Sequence, residues 1–124
     1  MLAFMQENGP IRLEDGMDAP IRNTFPWTAN ASVLYLESPA GVGFSTLKPE
    51  NQSFYSDMST SQDAFMALEQ WMNEVFPEYG PEGYNSPLFI AGESYGGIYA
   101  PYLTWQIYEQ GAINKTKGFP AWNL

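Results

Sequence analysis

The chain has 124 residues and a formal charge of −9, from 14 acidic against 5 basic side chains, with no cysteine and no histidine. Without Cys there is no disulfide framework, thiolate metal site or cysteine nucleophile, and without His no Ser–His pair can assemble from this sequence. A chain this acidic repels phosphate backbones, which argues against nucleic acid as a partner, and no apolar run reaches the roughly 18 residues of a membrane span.

The length allows one small domain. An apolar share of 44%, with 16% aromatic, is globular rather than disordered. Residues 1–5 are apolar but lack a basic flank and are too short for a signal peptide, so no export signal is expected. Residues 2–4 read as the start or end of a helix, and Asn8-Gly9-Pro10 as a turn. Residues 11–13 read as a short extended segment. Gly16, Pro20 and Pro26 break every pattern from 14 to 28, which predicts loop. Residues 32–37 are continuously apolar at their centre and predict a strand covered on both faces, ended by Pro39, Gly41 and Gly43. Residues 47–59 are polar and predict an exposed loop.

Residues 62–76 predict a helix. Phe65, Leu68, Met72 and Val75 recur at steps of three and four, and Ala64, Trp71 and Phe76 widen the stripe. Ser59 and Gln62 have capping-box spacing, and Pro77 stops the helix. Residues 88–91 predict a short buried strand. A second helix is expected from about 94 to 110, stopped by Gly111 and kinked by Pro101. Strand, helix, strand, helix predicts an α/β fold with a mainly parallel sheet.

Gly92-Glu93-Ser94-Tyr95-Gly96 has the form G-x-S-x-G, between a predicted strand and a predicted helix. That context suits a nucleophile elbow, in which a serine on a tight turn projects its hydroxyl from the sheet end. Small flanking residues let the backbones pass closely. The helix N-terminus favours negative charge, and the Tyr95 N–H is a candidate oxyanion donor. Chance gives about 0.04 such matches in a chain of this length. The bland alternative is a glycine-rich turn with Ser94 as a helix cap. Gly41-x-Gly43 also follows a strand, with Asp63 beyond it. However, Thr46 stands where a dinucleotide fingerprint needs its third glycine, and Pro49 replaces a helix start. Lys48, Lys115 and Lys117 form no basic patch.

The longer string Ile90-Ala91-Gly92-Glu93-Ser94-Tyr95-Gly96-Gly97 resembles the active-site signature of serine carboxypeptidases, a branch of the α/β-hydrolase fold. Three further segments agree in order: Glu7-Asn8-Gly9-Pro10, Val33-Leu34-Tyr35-Leu36-Glu37-Ser38-Pro39-Ala40-Gly41-Val42-Gly43-Phe44-Ser45, and Phe76-Pro77-Glu78-Tyr79. The resemblance covers about residues 1–111. It implies a partial α/β-hydrolase fold and release of C-terminal residues from peptides by acyl-enzyme chemistry. Ser94 matches the nucleophile and the Tyr95 backbone N–H one oxyanion donor. Glu93 and Glu7 match two carboxyl groups that recognise the free C-terminal carboxylate of peptide or protein substrates. Two adjacent carboxyls raise one another's proton affinity, and a protonated one can donate to a carboxylate, so acidic working pH is expected. Read without the resemblance, Glu7 is a solvated surface carboxylate and Glu93 a helix-start acid complementing the dipole.

The family's Asp and His lie well beyond its serine, and its Gly-rich oxyanion stretch lies just before the match to Glu7. Lys117-Gly118-Phe119 looks like the start of the family's next strand, after which residues 120–124 depart from the pattern. The expectation is an incomplete catalytic domain over residues 1–124, inactive alone and doubtful as an independent folding unit. The rivals are a related acyltransferase and a non-catalytic truncated product. No cofactor and no metal are expected. The sequons at Asn30, Asn51 and Asn114 are candidate glycosylation sites if the parent enters the secretory route, and the family implies a lysosomal, vacuolar or secreted location.

Overall fold

A computed structural model describes residues 2–47, 55–79 and 88–113. The N-terminal segment forms a single wide helical turn at Ala3–Glu7, closed where the Asn8 N–H donates to the Ala3 carbonyl at 3.0 Å. Strand β1 (Ile11–Arg12) then pairs antiparallel with β2 (Ile21–Arg22), Ile11 opposite Arg22. The expected extended segment at 11–13 is thus real, but the expected loop 14–28 also contains β2 and a 3-10 turn at Trp27–Ala29. Pro20 hid that strand. Proline is tolerated at the border of a short edge strand, where no ladder donor is needed.

The main helix, α1, runs Asp57–Gln70 and passes into a wider turn at Trp71–Val75. It starts five residues before the expected position (62 − 57), because the cap is Ser56 and not Ser59. The Ser56 hydroxyl accepts from the Ser59 N–H at 3.1 Å, and the Ser59 hydroxyl takes the Ser56 N–H at 2.9 Å. Ser59 therefore closes a capping box as its third helical residue, a place usually held by Glu or Gln. Phe65, Leu68 and Met72 are buried as the periodicity predicts, but Val75 and Phe76 are exposed. The wider turn, closed by the Phe76 N–H on the Trp71 carbonyl at 2.9 Å, slips the stripe out of phase. Pro77 follows and opens a 3-10 turn at Pro77–Tyr79, stacked under Trp71.

Helix α2 spans Gly96–Ile113 and carries Pro101 inside it. Gly111 does not stop it. Glycine ends a helix only where the chain turns left-handed, and here the helical path continues past it. The core lies between the two helices. Phe65 and Leu68 of α1 and Met72 of the wider turn meet Ile107 of α2, which is 1% exposed, and Trp71, Leu88, Ile90 and Leu103 pack around them. Each such buried side chain stabilises the fold by about 1.5–3 kcal/mol.

The two predicted strands form no ladder among the described residues. Residues 32–38 and 88–93 form no strand, and the one ladder among the described residues is the antiparallel β1–β2 pair. The expected parallel sheet is thus not present among these residues. Burial corrects the strand prediction too: Val33 and Tyr35 are half-covered, whereas Leu34 and Leu36 are each 42% exposed and Phe89 is 73% exposed. One face of each segment is covered, and not both. No helix among the described residues is long and apolar enough to cross a membrane.

Candidate active site

The backbone turns tightly at Ser94, whose φ of 56° is the sole positive value at a non-glycine among the described residues. An L-residue there costs about 1–2 kcal/mol, so the surrounding contacts must hold it. They are specific. The Gly96 N–H donates to the Glu93 carbonyl at 2.8 Å and the Gly97 N–H to the Ser94 carbonyl at 3.0 Å. The N–H groups of Ile98 and Tyr99 both reach the Tyr95 carbonyl. A Cβ on Gly92 would stand 2.5 Å from the Gly96 carbonyl oxygen, so the incoming segment passes the helix start with no room for a side chain. Gly96 itself faces open space. The expected glycine requirement holds at Gly92, and not at Gly96.

Ser94 and Tyr95 are both exposed at the N-terminal end of α2. Among the described residues no backbone acceptor takes the Tyr95 N–H. The Tyr95 phenol donates to Asp57 Oδ1 at 3.1 Å, and its ring meets Tyr99 edge-on at 5.0 Å. The bond to Asp57, and then the Asp57 charge, push the phenol above its ordinary range. Asp57 opens α1, so the elbow is tied to the first turn of the other helix.

Glu7 sits at the end of the N-terminal turn, and its carboxyl reaches that of Glu93, the residue before Ser94. Both side chains touch solvent. Glu7 nevertheless titrates above the ordinary glutamate value, first through loss of hydration against the chain around it, then through the Glu93 charge and a hydrogen bond to that carboxyl. The stretch that carries Glu7 is tightly held. A Cβ on Gly9 would meet the Phe4 carbonyl oxygen at 1.8 Å, so only glycine fits. The Tyr35 hydroxyl donates to Asn8 Oδ1 at 2.7 Å while its ring packs edge-on against Phe4 at 5.2 Å. Loss of hydration raises the Tyr35 phenol as well.

Residues 37–45 form a second tight loop. The Glu37 carboxylate accepts the Phe44 N–H, and Gly43, at φ 55°, passes so close that a Cβ would meet that carboxylate at 2.3 Å. The Gly41 N–H bonds the Ser45 carbonyl at 3.1 Å and closes the loop on itself. Glu37, though charged, is thus the hub of a backbone turn.

Ser94, Tyr95, Glu93 and Glu7 therefore fall in one region. Asn30 is exposed at the end of the 3-10 turn, while Asn51 and Asn114 lie outside the described residues. The sequence reading missed Asn23, Tyr35 and Asp57. Tyr35 stands inside a segment that carries the family resemblance, but nothing local gives any of the three its role, since each acts through a partner distant in sequence. No group of three or more metal-ligating side chains occurs among the described residues.

Comparison with known proteins gives the family. The family model described as serine carboxypeptidase matches residues 1–124. Serine carboxypeptidase-like 40 of Arabidopsis thaliana is 42% identical over 104 residues, 83% of this chain and 20% of the relative. Serine carboxypeptidase 1 of Hordeum vulgare is 32% identical over 123 residues, 94% of this chain and 24% of the relative. Serine carboxypeptidase ctsa-3.1 of Caenorhabditis elegans is 38% identical over 123 residues, 98% of this chain and 20% of the relative. The chain belongs to the serine carboxypeptidase family. It spans about a fifth to a quarter of the length of these relatives.

Proposed function

We propose that this chain carries the nucleophile and part of the substrate-recognition apparatus of a serine-type carboxypeptidase. The observation that carries this reading is the conjunction at Glu93-Ser94: a strained, exposed serine at a helix N-terminus, one residue from a carboxyl that meets a second carboxyl. In the reading, Ser94 Oγ attacks the carbonyl of the last peptide bond and gives up its proton to a base. The Tyr95 N–H, beside the positive end of α2, donates to the developing oxyanion. The C–N bond breaks, the C-terminal amino acid leaves as its amine, and water releases the acyl group from Ser94.

Glu7 and Glu93 bind the substrate's free carboxylate. Two carboxyls sharing a proton present both an acceptor and a donor, and the donor form bonds a carboxylate that an ionised pair would repel. Binding is therefore best under acidic conditions and fades as pH rises. The preference extends to peptide and protein substrates with a free C-terminus.

The absence of histidine favours a second reading beside the first. A Ser–His–Asp triad draws its base from an imidazole that this sequence does not supply, so we propose that residues 1–124 act as part of a catalytic domain and hydrolyse nothing alone. The exposed Leu34, Leu36 and Phe89 support a further apolar layer packed against those faces in a larger catalytic domain. The protein's route is proposed to be secretory, ending in a lysosome, vacuole or the outside, with Asn30 as an accessible glycan acceptor and Asn51 and Asn114 as further candidates. Labelling with a fluorophosphonate, with imidazole added to supply a base, tests the reading: an imidazole-dependent adduct on Ser94 that is absent in Ser94→Ala supports a nucleophile. No adduct on Ser94 leaves the non-catalytic reading.

A further inference from the structure

Asn23 is a polar side chain only 7% exposed, in a loop where a buried amide needs partners. It has them, and most lie on the stretch that carries Glu7. Its Nδ2 donates to the Glu7 carbonyl at 3.2 Å and to the Gly9 carbonyl at 2.9 Å. Its backbone N–H donates to the Pro10 carbonyl at 3.0 Å. Its Oδ1 accepts the Phe25 N–H at 3.1 Å, which folds its own loop around it. One side chain thus grips the backbone on both sides of Asn8. We infer that Asn23 is the positioning residue that holds Glu7 where its carboxyl meets that of Glu93.

The inference rests on the reading of Glu7 and Glu93 as the carboxylate-binding pair, and it adds how the pair is assembled. Glu7 ends a single helical turn, which has no stability of its own. The turn's other ties are Tyr35 on Asn8, the Trp27 N–H on the Asn8 carbonyl at 2.9 Å, the Asn8 N–H on the Ala3 carbonyl at 3.0 Å and the Leu13 N–H on the Met5 carbonyl at 2.8 Å; they leave the Glu7 and Gly9 carbonyls to Asn23. Losing the amide leaves these two carbonyls without their donor and loosens the stretch on both sides of Asn8, which then hangs on the Asn8 bonds to Ala3 and Trp27. Few other charges compete at Glu7. Arg12, on the strand packed against the turn, is engaged by Glu14, and Tyr35 is turned to Asn8.

The test is a carbon-13 NMR titration of the Glu7 carboxyl in the full chain. Asn23→Ser is the chosen variant: its hydroxyl can still accept the Phe25 N–H in a local turn, but it is too short to reach both carbonyls. The Glu7 midpoint is expected to fall toward the ordinary glutamate value. The further fall that Glu93→Gln causes in the unmodified chain is expected to vanish in the Asn23→Ser background. An unchanged midpoint, or a fall that leaves the response to Glu93→Gln intact, overturns the positioning role. Exchange of the Asn23 side-chain amide protons is measured in the unmodified chain, so the inference does not hang on the variant's folding. Slow exchange is expected, and exchange at the rate of a free amide overturns it. Neither readout needs a peptide, so failure to bind a free C-terminus defeats the substrate reading and leaves the role of Asn23 to these measurements.

Discussion

The Glu7 carboxyl faces that of Glu93, the residue immediately before the strained Ser94, close enough for the second carboxyl to raise the proton affinity of the first. One arm comes from an N-terminal turn and the other from the entry to α2. In the proposed function, their meeting gives an acidic protein a site that can accept another acid.

The pair makes stability depend on pH. Glu7 is raised in the folded chain by lost hydration and by Glu93, and returns to its ordinary value on unfolding. A raised carboxyl contributes stability that is fully present below the unfolded value and is lost as pH rises through the folded value. Glu7→Gln should therefore become relatively more stable than the unmodified chain as pH rises across that window. Denaturant midpoints of both proteins from strongly acidic to neutral pH check this. A constant difference would show that the carboxyls do not interact.

Ser94 should reveal its strain through two substitutions. Ser94→Gly accepts φ 56° freely, whereas Ser94→Ala does not. Ser94→Gly is expected to be more stable than Ser94→Ala by about 1 kcal/mol, despite glycine's greater freedom when unfolded. Urea titration of the pair measures it, and the reverse order would contradict the turn geometry.

Gly92 should tolerate nothing larger. Gly92→Ala places a methyl group 2.5 Å from the Gly96 carbonyl, a backbone atom that cannot swing aside. A loss of about 1–3 kcal/mol is expected. Gly96→Ala, which meets open space, should cost little by comparison and serves as the control.

The α1–α2 core should respond at Ile107. Ile107→Val is expected to cost about 0.5–1.5 kcal/mol and Ile107→Ala about 2–5 kcal/mol. Chemical unfolding followed by helix circular dichroism reads both. Equal, negligible costs would mean that the two helices do not share the core described.

The parts legible in the sequence were those fixed locally. The stripe Phe65, Leu68, Met72 announced α1 because a helix writes its buried face at a fixed period. Its start was misplaced because a serine, Ser59, does the work expected of Glu or Gln at that position. Residues 32–37 look like a strand because Val, Leu and Tyr favour extended backbone. A ladder, however, needs a neighbour, and no local pattern supplies one. Ser94 was found from its glycines. Glu7 and Glu93 were found through family resemblance alone, since two acids far apart in sequence carry no sign that they meet. Asn23 left no mark at all: in a loop, an asparagine that grips distant carbonyls reads like one that faces water.

The most direct test of the account is binding of one short peptide in two forms, with a free C-terminal carboxylate and with a C-terminal amide, under acidic and neutral conditions. NMR shifts of the Glu7 and Glu93 carboxyls report occupancy. The account predicts that the free acid binds under acidic conditions, weakens as pH rises, and is lost in Glu93→Gln, while the amide binds poorly throughout. Equal binding of acid and amide, or binding of the acid that strengthens toward neutral pH, would contradict it.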